Sequence, residues 1–85
     1  MIKVRMYCTR ICPYCVRASR LLDRKGVAVE KIYVDQDAGQ RQDMIRITGR
    51  TSVPQIFVGT HHVGGFDELS ELDADGELDA LLAAD

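Results

Sequence analysis

The apolar pattern changes period across Cys12-Pro13-Tyr14-Cys15, and that switch constrains the fold more than any other feature. Residues 2–7 alternate apolar and polar (Ile2, Val4 and Met6 against Lys3 and Arg5), which is the period of a strand. From residue 13 to 25 the pattern is helical, with Val16, Ala18, Leu21 and Leu22 as its apolar side and Gly26 placed to end it. Pro13 suits the first helical position, where a missing N–H has no partner to lose. Cys12 therefore stands at a helix entrance, and Cys15 stands one turn inside. Unpaired N–H groups at such an entrance favour a thiolate over a thiol. Arg10 and Arg17 add positive potential nearby. Two thiols at this spacing in a strand–helix context read as a dithiol redox site. Packed cysteines acting as small hydrophobes are the alternative.

Eighty-five residues predict one domain, residues 1–85. A hydrophobic content of 46% fits a packed core and argues against disorder. A net charge of −2 gives no reason to expect nucleic acid as a partner. No run approaches the ~18 apolar residues that span a bilayer. Lys3 and Arg5 fall where a signal peptide requires an apolar run. A cytoplasmic location is expected, with no membrane partner. Structural disulfides are rare there, and three cysteines is an odd number for a disulfide scaffold.

Val29–Val34 reads as a second strand, which makes the opening a βαβ crossover with parallel strands. Asp37 is placed to cap a helix from Ala38 to about Thr48, with Gln40 in the capping-box position and Gly49 at its end. Gln55–Val58 and His61–Val63 read as an antiparallel pair joined at Gly59-Thr60. After Gly64-Gly65, Asp67 is placed to cap a last helical region that runs to Ala84 with a break near Gly76. The order β-α-β-α-β-β-α predicts an α/β fold, a four-stranded mixed sheet with helices on both faces. Lys3 and Arg5 conflict with an interior first strand, unless their aliphatic stems cover apolar surface.

The strand–Cys-Pro-Tyr-Cys–helix opening, Thr51-Ser52-Val53-Pro54-Gln55-Ile56-Phe57 and Gly64-Gly65-Phe66-Asp67, in this order, resemble the glutaredoxins. The resemblance is to the small bacterial dithiol class and covers nearly the whole chain. It implies a thioredoxin-like fold with a cis Val53-Pro54 bond, although X–Pro bonds in general are cis in only about 5–6% of cases. It also implies a glutathione-dependent disulfide oxidoreductase acting on disulfide-containing or glutathionylated proteins. On this reading the protein is a monomer with no tightly bound cofactor, and glutathione is the co-substrate.

The resemblance makes Cys12 the nucleophile and Cys15 the resolving thiol. Lowering a thiol from pKa ~8.5 to about 5 raises its thiolate fraction at pH 7 roughly thirtyfold, but costs about 25- to 55-fold in nucleophilicity. The helix end therefore serves departure of the sulfur more than its first attack. For glutathione itself, the implied contacts are Val53 with Pro54 for main-chain pairing, and Gly65, Phe66 and Asp67 for the γ-glutamyl end. Tyr14 lines the groove, and Arg41 or Arg10 supplies a cation for the glycyl carboxylate. Two positions depart from the family pattern: Thr9 stands where many relatives carry lysine, and Phe66 where some carry cysteine. Cys8 is read as a buried thiol or an oxidisable side site. The rival readings are a zinc site from Cys8, Cys12, Cys15 and His61 or His62, a cluster-bridged dimer, and a redoxin driven by thioredoxin reductase.

Overall fold

The structure, a computed structural model, describes residues 2–84. The elements run β1 (Val4–Cys8), α1 (Pro13–Arg24), β2 (Val29–Tyr33), α2 (Ala38–Thr48), β3 (Gln55–Val58), β4 (His61–Gly64), α3 (Phe66–Ala74) and α4 (Glu77–Ala83). The strands form one sheet in the order β2-β1-β3-β4. β1 is parallel to β2 and antiparallel to β3, and β3 is antiparallel to β4. The parallel pair follows from α1, because only a crossover brings the chain back to the same end of the sheet.

Alternation along the strands builds two apolar faces. Val4, Met6 and Cys8 share one face with Ile56 and Val58, since Met6 pairs with Ile56 and Val4 with Val58. Cys15, Ala18, Leu21 and Leu22 of α1 cover this face, together with Leu69 of α3 and Leu78 of α4. Each fully buried leucine contributes about 1.5–3 kcal/mol. The other face carries Tyr7 and Phe57, packed edge to face at 6.1 Å, under Val34 and Met44. Among the described residues, α2 is the one helix on that face, and Arg5 and His62 cover the Phe57 ring beside it. This resolves the conflict over Lys3 and Arg5: the Arg5 guanidinium lies 5.2 Å over the Phe57 ring, and Lys3 reaches Glu30 at 3.4 Å on the surface.

Both expected caps of α2 form. Asp37 accepts the Gln40 N–H at 3.1 Å, and Gly49 ends the helix at φ +70°, a conformation that favours glycine. Lys25 ties the end of α1 to α3 and α4 by bonding Asp73 at 2.6 Å and Asp79 at 3.0 Å.

Three expectations shift. The first strand occupies residues 4–8, because its pairing with β2 continues to Cys8, opposite Tyr33, one residue beyond the end of its pairing with β3 at Tyr7. Val16 is 45% exposed, since Cys15, Ala18 and Leu22 define the buried stripe and Val16 lies a quarter turn off it. Asp67 does not cap the last helical region: Gly65 is the N-cap of α3, and Asp67 sits in its first turn. Among the described residues, no helix is long and apolar enough to cross a membrane.

Candidate active site

The switch from β1 to α1 brings Cys12 to the helix entrance. Cys12 is the N-cap residue, with extended backbone angles, and Pro13 begins the helix behind it. The Cys15 N–H donates to Cys12 Sγ at 3.2 Å. Cys12 Sγ also faces the Val53 carbonyl at 3.9 Å. Cys12 is partly exposed, whereas Cys15 is buried at 4% exposure, and all three cysteines are free. Burial, reinforced by the hydrogen bond with Cys12, pushes the Cys15 thiol up to about 12. Burial also raises Cys8, against the pull of Lys31.

Val53 precedes a cis peptide bond to Pro54, and the loop before β3 that carries it is anchored from within. Gln55 is 1% exposed. Its Nε2 donates to the Ser52 carbonyl at 3.0 Å, which leaves its Oε1 to accept from His62 Nε2 at 2.8 Å. This arrangement assigns the His62 proton to Nε2. Burial, then the Arg50 charge, pushes His62 below the usual histidine range. Polar Gln55 at the head of an apolar strand is the sequence signal for this anchor.

The third wall is the start of α3. Gly64 has φ +112°, and a Cβ there would collide with the Glu68 carboxylate. That carboxylate reaches back to accept the Gly65 N–H at 2.8 Å and the Arg50 Nη1 at 2.9 Å. These two contacts, the Gly65 N–H first, hold Glu68 below the usual carboxylate range. Glutamate three residues after an N-cap is a recognisable signal. Arg50 has none, because only the fold places it beside α3.

Tyr14, Val53, Pro54, Gly65, Phe66 and Asp67 line one groove of about 370 Å³ beside Cys12. Arg50, Ser52, Gln55 and Glu68 complete it. Tyr14 and Phe66 approach with ring centroids 6.2 Å apart, and Arg17 lies 5.2 Å over the Tyr14 ring. Arg10 and Arg41 stand outside this groove. Arg10 is held by Asp35 through Nε at 3.0 Å and its backbone N–H at 3.3 Å, and that pairing lowers Asp35. Arg41 is exposed on α2. The cation that the groove does contain is Arg50. His61 and His62 point to different surroundings, and among the described residues no three of His, Cys, Asp and Glu are gathered as a metal site.

The arrangement is one accessible sulfur at a helix mouth, one buried sulfur behind it, and a polar groove alongside. The glutaredoxin family model matches residues 4–63. Glutaredoxin 3 of Escherichia coli (strain K12) is 49% identical over 82 residues, covering 96% of this chain and 99% of that protein. The solution structure of glutaredoxin from Brucella melitensis superposes with a TM-score of 0.85 at 44% identity, covering 96% of this chain and 89% of that one. The crystal structure of a buckwheat glutaredoxin–glutathione complex superposes with a TM-score of 0.88 at 30% identity, covering 95% of this chain and 76% of that one. With matches of this extent on sequence and structure alike, the chain belongs to the glutaredoxin family and has its thioredoxin-like fold.

Proposed function

We propose that this thiol–disulfide oxidoreductase uses glutathione and works by two routes that share one nucleophile. The unequal placement of the two thiols carries the reading: Cys12 at the mouth accepting the Cys15 N–H, and Cys15 buried behind it. In the dithiol route the Cys12 thiolate attacks a client disulfide, and one client sulfur leaves as a thiolate. Cys15 then gives up its proton and attacks Cys12 sulfur. The second client thiolate departs, and a Cys12–Cys15 disulfide remains. One glutathione reopens that disulfide as a mixed disulfide on Cys12. A second attacks its sulfur and leaves as glutathione disulfide, so two electrons pass from glutathione to the client. In the monothiol route Cys12 takes the glutathionyl group from a protein and passes it to a second glutathione, without Cys15.

The height of the Cys15 thiol supports this order. Part of its rise comes from the neighbouring Cys12 sulfur. Loading Cys12 as a neutral mixed disulfide removes that part, so Cys15 ionises more readily once a client is bound. The Cys15 N–H meanwhile stabilises the Cys12 sulfur as a leaving group.

Glutathione fits the groove along Val53 in this proposal. The Val53 main chain pairs with the cysteinyl unit, Pro54 and Tyr14 flank it, and the γ-glutamyl carboxylate meets the N–H groups that open α3 at Phe66. Asp67 faces the γ-glutamyl ammonium. The buckwheat glutaredoxin–glutathione complex supports glutathione as the ligand. The test is turnover of a glutathione mixed disulfide with glutathione, glutathione reductase and NADPH. NADPH oxidation that requires glutathione is the expected result. Equal turnover with thioredoxin reductase in place of glutathione and its reductase contradicts the proposal.

A further inference from the structure

A second groove, of about 350 Å³, lies on the β2 side of α1, away from the Val53–Phe66 groove. Cys15, Ser19 and Arg20 of α1 form one wall, Lys31 of edge strand β2 the other, and Thr9 and Arg10 close the end next to Cys12. Lys31 pairs with Met6 in register, so it stands on the face that α1 covers. Among the described residues, no carboxylate lies within ion-pair distance of Arg20 or Lys31. The nearby acids are committed elsewhere: Asp35 to Arg10 at 3.0 Å, and Glu30, on the opposite face of β2, to Lys3 at 3.4 Å.

Charge is also unevenly distributed along the sequence. All eleven lysines and arginines fall in residues 1–50 with five acids, and the other eight acids fall in residues 51–85. In space, Arg10, Arg20 and Lys31 line the groove on the β2 side of α1 with no acid in its lining, whereas Asp67 and Glu68 line the other groove, where Glu68 is paired with Arg50. Val16, 45% exposed, lines this groove, and Ile11, 93% exposed, stands between Arg10 of the groove and Cys12.

We infer that this groove is the docking surface for an extended client segment that carries acidic residues next to its reactive cysteine. The client's carboxylates would meet Arg20 and Lys31, and its apolar neighbours would cover Ile11 and Val16. Unpaired cations steer an acidic partner and discriminate against a basic one, in a manner that salt screens. The inference rests on the proposed oxidoreductase chemistry at Cys12, but the groove is separate from the one assigned to glutathione.

Two synthetic peptides test it, each glutathionylated on a single cysteine and differing only in flanking glutamates or lysines. The mixed disulfide of glutathione with 2-mercaptoethanol, which carries the same glutathionyl group but no charged flanking residues, serves as the reference. At ~20 mM salt the acidic peptide should show a kcat/KM about tenfold above the basic one, mostly through KM, shrinking to within about twofold at ~500 mM. Arg20→Glu combined with Lys31→Glu should abolish or invert the preference while the reference substrate changes less than about twofold. Equal rates for the two peptides, or a preference that survives both salt and charge reversal, overturn the inference. Failure of the reference substrate itself would instead overturn the oxidoreductase proposal.

Discussion

The mouth of α1 and its first buried turn hold the same functional group in opposite surroundings. At the mouth, Cys12 Sγ has an N–H to accept and an open side toward the groove. One turn later Cys15 is enclosed with Met6, Ala18, Leu22 and Ile56, and its thiol is driven up to about 12. Nothing in the chemistry of cysteine distinguishes the two. Helix geometry does so, by leaving the N-cap residue outside and turning the third residue inward onto the sheet. In the proposed mechanism the mouth initiates and the interior resolves.

The strongest way to break the comparison is to exchange sulfur for oxygen at each place. Cys12→Ser should reduce both deglutathionylation and protein-disulfide reduction to background, measured in the coupled NADPH assay, because a serine hydroxyl at neutral pH is neither ionised nor a competent thiol-exchange partner. Cys15→Ser should split the activities, keeping deglutathionylation within a few-fold of the parent and losing disulfide reduction. Equal loss of both in Cys15→Ser would place Cys15 in the first step and end the distinction.

Packing sharpens the interior side. Leu22 is fully buried in the same cluster as Cys15, seven residues along the helix stripe. Leu22→Ala should lower unfolding stability by about 2–5 kcal/mol in denaturant titrations. A cost under about 1 kcal/mol would mean that the core around Cys15 is looser than its burial indicates.

The smallest effect belongs to the groove wall on the exposed side. Glu68 is held below the usual carboxylate range by the Gly65 N–H and Arg50, so its contribution is present above the unfolded value near 4.5 and fades as pH falls through the folded value. Glu68→Gln should therefore flatten the acid limb of stability below about pH 4.5. At neutral pH its cost should stay under about 1 kcal/mol, because the side chain is 41% exposed and solvent screens it. An unchanged acid limb would show that the carboxylate does not hold the α3 entrance.

Most elements were legible in the sequence because local signals agree with the fold. Pro13 and Gly26 bracket α1, Asp37 and Gly49 bracket α2, and alternation marks β1. Cys12 and Cys15 declared themselves by spacing and by the period switch around them. What stayed hidden depends on distant segments meeting. Arg50 lines the groove only because β3 and β4 bring Gly65 and Glu68 beside it. Arg10 looked free until Asp35, twenty-five residues on, took its guanidinium. Asp67 looked like a cap because capping preference favours aspartate, but the turn at Gly64-Gly65 starts the helix two residues earlier.

The most direct test is to mix reduced protein with one equivalent of glutathione disulfide, quench with acid at intervals and map the first mixed disulfide by peptide mass spectrometry. Glutathione should appear on Cys12 first, accumulate there in the Cys15→Ser variant, and stay absent from Cys15 in Cys12→Ser. Glutathione on Cys15 at a comparable rate would contradict the division between the mouth and the interior of α1.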